Sequence, residues 1–333
     1  MSALSQEVID AAMQRAIALA YKGPRTSNHR VGCVILDGDG QEVGAGFYQG
    51  PGSAHAEVEA LKVAGDLARG STAIVTLEPC NHTGRTGPCT QALIQAGIAQ
   101  VIFAQHDPNP VAAGGTGVLQ AAGILVMDGI QTQAAMRINV AYDHVRATGR
   151  PYVVLKLAQT IDARISGSQG GPTPISGPQA RLFTHELRSQ CDAVLVGTGT
   201  ALADDPQLTV REIQSGDQPL REIMGERDLP PGLRIFDDAA STLILREKDP
   251  KRALGTLLAS GVQQVLLEGG PTLATAFLEA GCVDEVVWLL APTLMGSGLA
   301  STQPLPRVIP VDVTEVRLIG NDVMVRGRIA PQH

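Results

Sequence analysis

Apolar positions recur at helical spacing over residues 6 to 22, where Val8, Ile9, Ala12, Met13, Ala16 and Ala20 share one face, and predict an amphipathic helix. Short apolar runs at 31 to 36, 43 to 47 and 73 to 77 read as strands, as do Val101 to Ala104 and Ile124 to Met127. A second helix opens at His55 and Glu57 and continues through Val58, Leu61 and Ala64. A third has Pro88 in its first turn, runs to Ala96 and stops at Gly97; a short one is expected near Val118. This order of strands and helices implies a three-layer α/β unit.

The stretch Arg146-Ala-Thr-Gly-Arg-Pro151 reads as a linker, being polar with Gly and Pro. Beyond it, strands and helices alternate again at 152 to 158, 178 to 189, 193 to 197, 251 to 260, 264 to 268 and 271 to 280. That alternation implies α/β architecture with a largely parallel sheet. Residues 212 to 234, rich in charge, Pro and Gly, show no clear period. Two domains are therefore expected, at 1 to 147 and 151 to 330.

Composition narrows the class. A 333-residue chain with 44% hydrophobic and 18% charged residues can bury two ordinary globular cores. No apolar run is long enough to span a bilayer, and Met1-Ser-Ala-Leu-Ser5 lacks a secretory signal, so a cytoplasmic protein with no membrane partner is expected. Of five cysteines, Cys33, Cys191 and Cys282 lie scattered in apolar contexts and read as reduced core residues. A net charge of −7 argues against nucleic acid as a partner, because polyanion binding draws on clustered Lys and Arg.

The chemistry concentrates in His55-Ala-Glu57, Pro79-Cys80 and Cys89. One imidazole and two thiolates suit zinc and leave its fourth position to water. Three such ligands bring the pKa of that water towards neutrality, and a carboxylate at Glu57 can carry its protons. Cys89 at a helix N-terminus sits where the dipole favours a thiolate. A structural zinc site would show two close pairs of ligands, and His82 is an awkward fourth ligand only two residues from Cys80. The pattern matches the zinc deaminase signature except that the insert between the cysteines is longer and carries His82 and Arg85. Downstream, Val265-Leu-Leu-Glu268-Gly-Gly-Pro-Thr-Leu273 reads as strand, glycine turn and helix, either a plain connection or a place where a phosphate meets backbone. Gly197 to Arg211 also follows a strand, where open α/β sheets place ligands, or is a capped loop with Asp205-Pro206 as a turn.

Together the two halves resemble the bifunctional riboflavin-biosynthesis enzyme, a pyrimidine deaminase fused to a pyrimidine reductase. The resemblance is carried by His55-Ala-Glu-Val-Glu-Ala-Leu61, Thr76-Leu-Glu-Pro-Cys80 through Cys89, Asp107-Pro-Asn-Pro110, Leu202-Ala-Asp-Asp-Pro-Gln-Leu-Thr-Val-Arg211 and Leu266-Leu-Glu-Gly-Gly-Pro-Thr272. It implies a cytidine-deaminase-like domain followed by a dihydrofolate-reductase-like domain. It implies zinc on His55, Cys80 and Cys89, Glu57 as proton shuttle, and Asn28, His82, Arg85 and Thr86 on a phosphoribosyl pyrimidine. In the reductase it assigns Arg188, Leu208, Arg211 and Glu268 to substrate, with Arg188 and Arg211 suited to clamp a phosphate. It assigns Thr200, Asp204 and the turn Gly270, Pro271, Thr272, Leu273, Ala274, Thr275 and Ala276 to NADPH, and matches Lys156 and Asp162 without a defined role. It also implies a homo-oligomer formed through the reductase domain.

Some positions depart from the family. Ser27 and His29 replace prolines flanking Asn28, Gly87 replaces a proline, Ala163 follows Asp162 where Gly is usual, and Pro172-Thr-Pro174-Ile175 replaces Ser-Gln-Trp-Ile. Glu226 falls near the expected cofactor ribose, where its charge would oppose a 2′-phosphate and Glu226→Lys would favour NADPH over NADH. The sequence-level expectation is deamination followed by NADPH-dependent reduction of the ribosyl group to ribityl. The alternatives are a deaminase with a degenerate reductase half, or a silent zinc-binding scaffold, which would have no use for Glu57, His82 or Arg85.

Overall fold

The computed structural model describes residues 4–24, 28–82, 87–107, 114–166, 175–213 and 218–330. Arg85, Thr86, Pro172 and Pro174 lie outside the described residues. The chain divides into two compact units, Met1–Asp143 and His144–His333.

The first unit runs α1 (Gln6–Ala20), β1 (Gly32–Leu36), β2 (Glu42–Phe47), α2 (Ala56–Ala64), β3 (Thr72–Val75), α3 (Cys89–Ala96), β4 (Gln100–Phe103), α4 (Gly115–Ala121), β5 (Leu125–Asp128) and α5, Thr132–Thr148, which crosses the division. Its sheet has the order β2-β1-β3-β4-β5, antiparallel across β2, β1 and β3, then parallel. Alternation along the strands divides the core in two. Cys33, Ile35, Ala73, Val75, Val101 and Phe103 face α2, α3 and α4. Val34, Leu36, Ile74, Ile102 and Ala104 face α1 and the start of α5. The expected three layers are present.

Close approach of backbone places α2. A Cβ on Gly44 would stand 2.4 Å from the Ala60 carbonyl, and one on Gly46 would stand 2.6 Å from the Ala56 carbonyl. Glycines on β2 and alanines at Ala56, Ala60 and Ala64 thus let the helix lie almost directly on the sheet. That seating fixes the helix end bearing His55 and Glu57.

The second unit runs β6 (Tyr152–Thr160), β7 (Arg164–Ser166), α6 (Pro178–Ser189), β8 (Ala193–Gly197), α7 (Thr198–Asp204), β9 (Leu220–Met224), β10 (Thr242–Leu245), α8 (Pro250–Ala259), β11 (Gln264–Leu267), α9 (Pro271–Glu279), β12 (Glu285–Ala291), β13 (Leu299–Ala300), β14 (Val311–Ile319) and β15 (Asp322–Ile329). Its main sheet has the order β10-β9-β8-β11-β6-β12-β15-β14. All pairs from β10 to β12 are parallel, and β15 and β14 extend the sheet antiparallel. The largely parallel sheet is as expected. Its central strands are apolar on both faces, as a sheet covered on both sides requires.

Several elements differ from the sequence expectation. Arg146 to Thr148 form the last turn of α5 rather than a linker, so only Gly149, Arg150 and Pro151 join it to β6. Only Ala135, Ile138 and Asn139 of that helix are buried, so no apolar stripe announces it. Within the unassigned stretch 212 to 234 lies β9, whose charged Arg221 and Glu222 are both fully buried. The Arg221 guanidinium donates through Nη1 to Asp237 at 2.6 Å, a partner 16 residues along the chain. Among the described residues, no helix is long and apolar enough to cross a membrane.

Candidate functional site

His55 caps α2, Glu57 lies in its first turn, and Cys89 is the first residue of α3. Cys80 sits on the connection after β3. His55 Nδ1 is 3.2 Å from Cys89 Sγ and 3.5 Å from Cys80 Sγ, and all three donor atoms lie within 4.8 Å of one another. Zinc bonds of about 2.0–2.3 Å arranged tetrahedrally put ligand atoms roughly 3.5 Å apart, a spacing that both thiol distances from His55 approach. The connection bearing Cys80 is braced twice. The Thr90 hydroxyl donates to Asn81 Oδ1 at 3.2 Å, and Glu78 accepts the Thr116 N–H and hydroxyl at 3.0 and 2.8 Å.

The electrostatics suit a cation. Burial, then the neighbouring Cys80, push the Glu57 carboxyl up to about 7. The hydrogen bond from Cys89, followed by His55, draws Cys80 well below an ordinary thiol. Cys89 moves the opposite way, through its hydrogen bond to Cys80 and through burial. Each thiol thus shifts against the other, Cys80 down and Cys89 up. A dication allows both to ionise.

The expected substrate residues are only partly in view. Asn28 Nδ2 donates to the Tyr48 hydroxyl at 2.6 Å, and the Tyr48 ring meets His55 edge-on with centroids 6.0 Å apart. Tyr48 therefore joins Asn28 to His55, one of the three candidate metal ligands, a link that no motif signals. His82 Nδ1 is buried with no hydrogen-bond partner among the described residues.

The second site lies at the carboxyl ends of the parallel strands. A cavity of about 1200 Å³ is lined by Ala158 of β6, Gly197 to Thr200, Asp204, Gly225 to Arg227, Glu247, Lys248 and Gly270 to Leu273. Ligands of open α/β sheets occupy this position. Glycines let the turn after β11 pack closely on its neighbours. A Cβ on Gly269 would meet Leu273 at 2.8 Å, and one on Gly270 would stand 3.4 Å from Thr200 Oγ1. The Gly270 N–H donates to that hydroxyl at 3.2 Å, tying the β11 turn to α7. Thr200, Asp204, Gly270, Pro271, Thr272, Leu273 and Ala276 line this space; Ala274 and Thr275 point into the core. Its size and exposed turns fit a dinucleotide.

Beside the strand ends lies a buried charge cluster. Arg188 Nε and Nη2 donate to the two oxygens of Glu268 at 2.6 and 3.1 Å, and Nη1 donates to the Thr209 carbonyl at 3.1 Å. Lys156 Nζ is 4.0 Å from Glu268. Burial pushes Glu268 up, but Arg188 and Lys156 more than offset this and hold it below the usual carboxylate range. Burial draws Lys156 below the usual lysine value. The loop reaching this cluster bends through left-handed residues, Asp205 at φ 40° and Leu208 at φ 54°. Arg211 is exposed, donating to Gln207 and to Thr209 Oγ1. Asp162 stands apart as a latch: it accepts from the Thr160 hydroxyl at 2.5 Å and from the Gly296 N–H at 2.7 Å.

Comparison with known proteins agrees with both halves. Residues 6–105 match the cytidine and deoxycytidylate deaminase zinc-binding region, and residues 151–325 match the RibD C-terminal domain. The chain is 46% identical to the riboflavin biosynthesis protein RibD of Mycobacterium tuberculosis, over 86% of each chain. The chain belongs to the RibD family. It is 39% identical to the Escherichia coli member, over 93% of this chain and 96% of that one. Among solved structures, Acinetobacter baumannii RibD is 35% identical with a TM-score of 0.79, covering 98% of this chain and 100% of that one. A Thermotoga maritima diaminohydroxyphosphoribosylaminopyrimidine deaminase/5-amino-6-(5-phosphoribosylamino)uracil reductase is 31% identical with a TM-score of 0.82, covering 97% and 99%. As a RibD protein of riboflavin biosynthesis, the chain carries a zinc-binding deaminase domain followed by an NADPH-dependent reductase domain.

Proposed function

We propose that the deaminase half removes the 2-amino group of 2,5-diamino-6-ribosylamino-4(3H)-pyrimidinone 5′-phosphate and that the reductase half converts the ribosyl group of the product to ribityl. The carrying observation is the three-ligand cluster with the buried Glu57 carboxyl beside it, in one chain with a dinucleotide-sized cavity. The substrate follows from the two reactions for which the Thermotoga maritima relative is named.

In the first half His55, Cys80 and Cys89 would hold zinc, which when bound acidifies water. Glu57, poised near neutrality, takes a proton from the attacking water and returns it to the departing ammonia. Asn28, fixed by Tyr48, and His82 orient the ring. Arg85 and Thr86 are assigned to the phosphoribosyl group.

In the second half NADPH supplies the hydride when bound. Thr200, Asp204 and the turn at Gly270 position it, Asp204 as an acceptor for ribose hydroxyls. Lys156 is the group placed to protonate the oxygen released as the ribose ring opens, its depressed pKa easing that transfer. Glu268 and Arg188 hold the ribosyl group in place, with Leu208 beside it. Arg211 is the cation left for the phosphate, because the Arg188 fork is already filled.

Each half works as a separable domain, 1 to 147 and 151 to 330, in the cytoplasm. The edge strand β14 exposes Val313, Val316 and Leu318, which supports a homo-oligomer closed through the reductase half. An anaerobic two-step assay tests the function: ammonia release from the diaminopyrimidine substrate, then NADPH oxidation dependent on the deaminated product. Ammonia release without NADPH oxidation would overturn the bifunctional reading.

A further inference from the structure

We propose that Arg227 distinguishes a 2′-phosphorylated dinucleotide from its unphosphorylated counterpart, and that Glu226 masks a second cation, Lys248, at the same place. This assignment rests on the cavity being the dinucleotide site.

The cavity follows the strand order β6, β11, β8, β9, β10, which at about 4.8 Å per strand makes roughly 19 Å. Lys156 on β6 and Glu268 after β11 mark the end where hydride chemistry belongs. An extended dinucleotide with its nicotinamide there carries its adenosine ribose to the ends of β9 and β10.

Those ends are register-matched. Met224 pairs with Leu245, and the Gly225 N–H donates to the Leu245 carbonyl at 3.0 Å. Gly225 has φ +135°, and a Cβ there would stand 2.7 Å from Thr198 Oγ1. The turn therefore packs tightly on the start of α7 and presents Glu226 and Arg227 at the cavity wall. Arg227 Nη1 lies 3.9 Å from the position a Cβ of Gly199 would take, so that glycine leaves the guanidinium room.

The wall here carries Glu226, Arg227, Glu247 and Lys248. Lys248 Nζ is ion-paired with Glu226. Glu247 accepts the Lys248 and Asp249 N–H groups and faces Arg252 at 3.7 Å. Arg227 has no carboxylate partner among the described residues. Farther along the lining, Arg181 donates to the Ser176 carbonyl at 3.2 Å and Asp204 stands at the end of α7. Arg227 is thus the cation at the adenosine end free to meet a dianion, and a guanidinium does so with two parallel hydrogen bonds. Glu226 does not confront the phosphate unopposed, because Lys248 neutralises it.

Calorimetric titration of the full chain with NADPH, NADH, 2′,5′-ADP and 5′-AMP tests this. Arg227→Ala is expected to weaken NADPH and 2′,5′-ADP roughly ten- to a hundredfold, the range of a charge-assisted hydrogen bond, and to leave NADH and 5′-AMP within about twofold. Arg227→Lys should recover part of the loss. Glu226→Gln should tighten NADPH a few-fold and leave NADH unchanged, by releasing Lys248. Equal losses for both dinucleotides in Arg227→Ala, or none, would overturn the role of Arg227. Unchanged or weaker NADPH binding in Glu226→Gln would overturn the masking. A wild type that binds neither dinucleotide would instead overturn the reading of the cavity.

Discussion

Arg188 grips Glu268 with two parallel hydrogen bonds, at 2.6 and 3.1 Å, in a nearly buried setting beside Lys156. Two cations thus share one carboxylate, and Glu268 keeps both charges tolerable inside the protein. Glu268→Gln should cost about 3–5 kcal/mol of stability, because it leaves buried charge uncompensated. Reductase activity should fall while ammonia release stays at the wild-type rate. Glu268 is held below its usual range, so its contribution is fully present above the unfolded carboxylate value of 4.5 and is lost as pH falls through the folded one. Denaturant melts of wild type and variant at neutral and acid pH check both parts. A variant as stable as the wild type would show that the cluster does not depend on its carboxylate.

The metal cluster predicts a separation of binding from chemistry. Purified protein should hold about one zinc per chain, and Cys80→Ser or Cys89→Ser should lose metal and ammonia release together. Glu57→Gln should keep the metal and lower deamination by roughly 10²- to 10⁴-fold, since the proton carrier alone is removed. Metal analysis alongside the ammonia assay decides this. Near-normal deamination by Glu57→Gln would remove Glu57 from the proposed mechanism. In all three variants, reduction of pre-deaminated substrate should be unaffected.

Ala163 has φ +60°, the left-handed region that a Cβ disfavours. It follows Asp162, whose bonds to Thr160 and to the Gly296 N–H hold the turn after β6. Ala163→Gly should relieve that strain and stabilise the protein by about 0.5–1 kcal/mol, net of the added freedom of the unfolded chain. Thermal unfolding measures it, and a loss of stability would show that the turn is not strained.

Glu222 is fully buried in β9, neither oxygen has a hydrogen-bond partner among the described residues, and burial pushes its pKa up to about 8. The folded protein therefore favours the protonated form more than the unfolded chain does. Stability from this group is present below the unfolded value of 4.5 and declines as pH rises towards about 8. Glu222→Gln should flatten that decline, gaining on the order of 2–3 kcal/mol relative to wild type between about pH 5 and pH 8. Chemical denaturation across that range checks the sign; parallel pH profiles would refute it.

Elements whose burial is periodic can be read from the order of residues alone. α3, α6, β8 and α9 are legible because an apolar stripe or run and a Pro or Gly boundary coincide in each, and α1 because its apolar stripe follows a Ser5 cap. The candidate metal ligands are legible too, because an imidazole and a carboxylate followed by two thiols suit one chemistry. The rest depends on contacts between distant residues. Arg221 is acceptable inside β9 only because Asp237 reaches it, so no local pattern reveals that strand. The α5 helix stays hidden because few of its residues are buried. Whether Arg188 meets a phosphate or Glu268 depends on a pairing between residues 80 positions apart. The same holds for Glu226, whose charge reads as an obstacle in the sequence until the fold sets Lys248 against it. Local propensity is written in neighbouring residues, but the sign and availability of a charge are set by partners that only folding brings within reach.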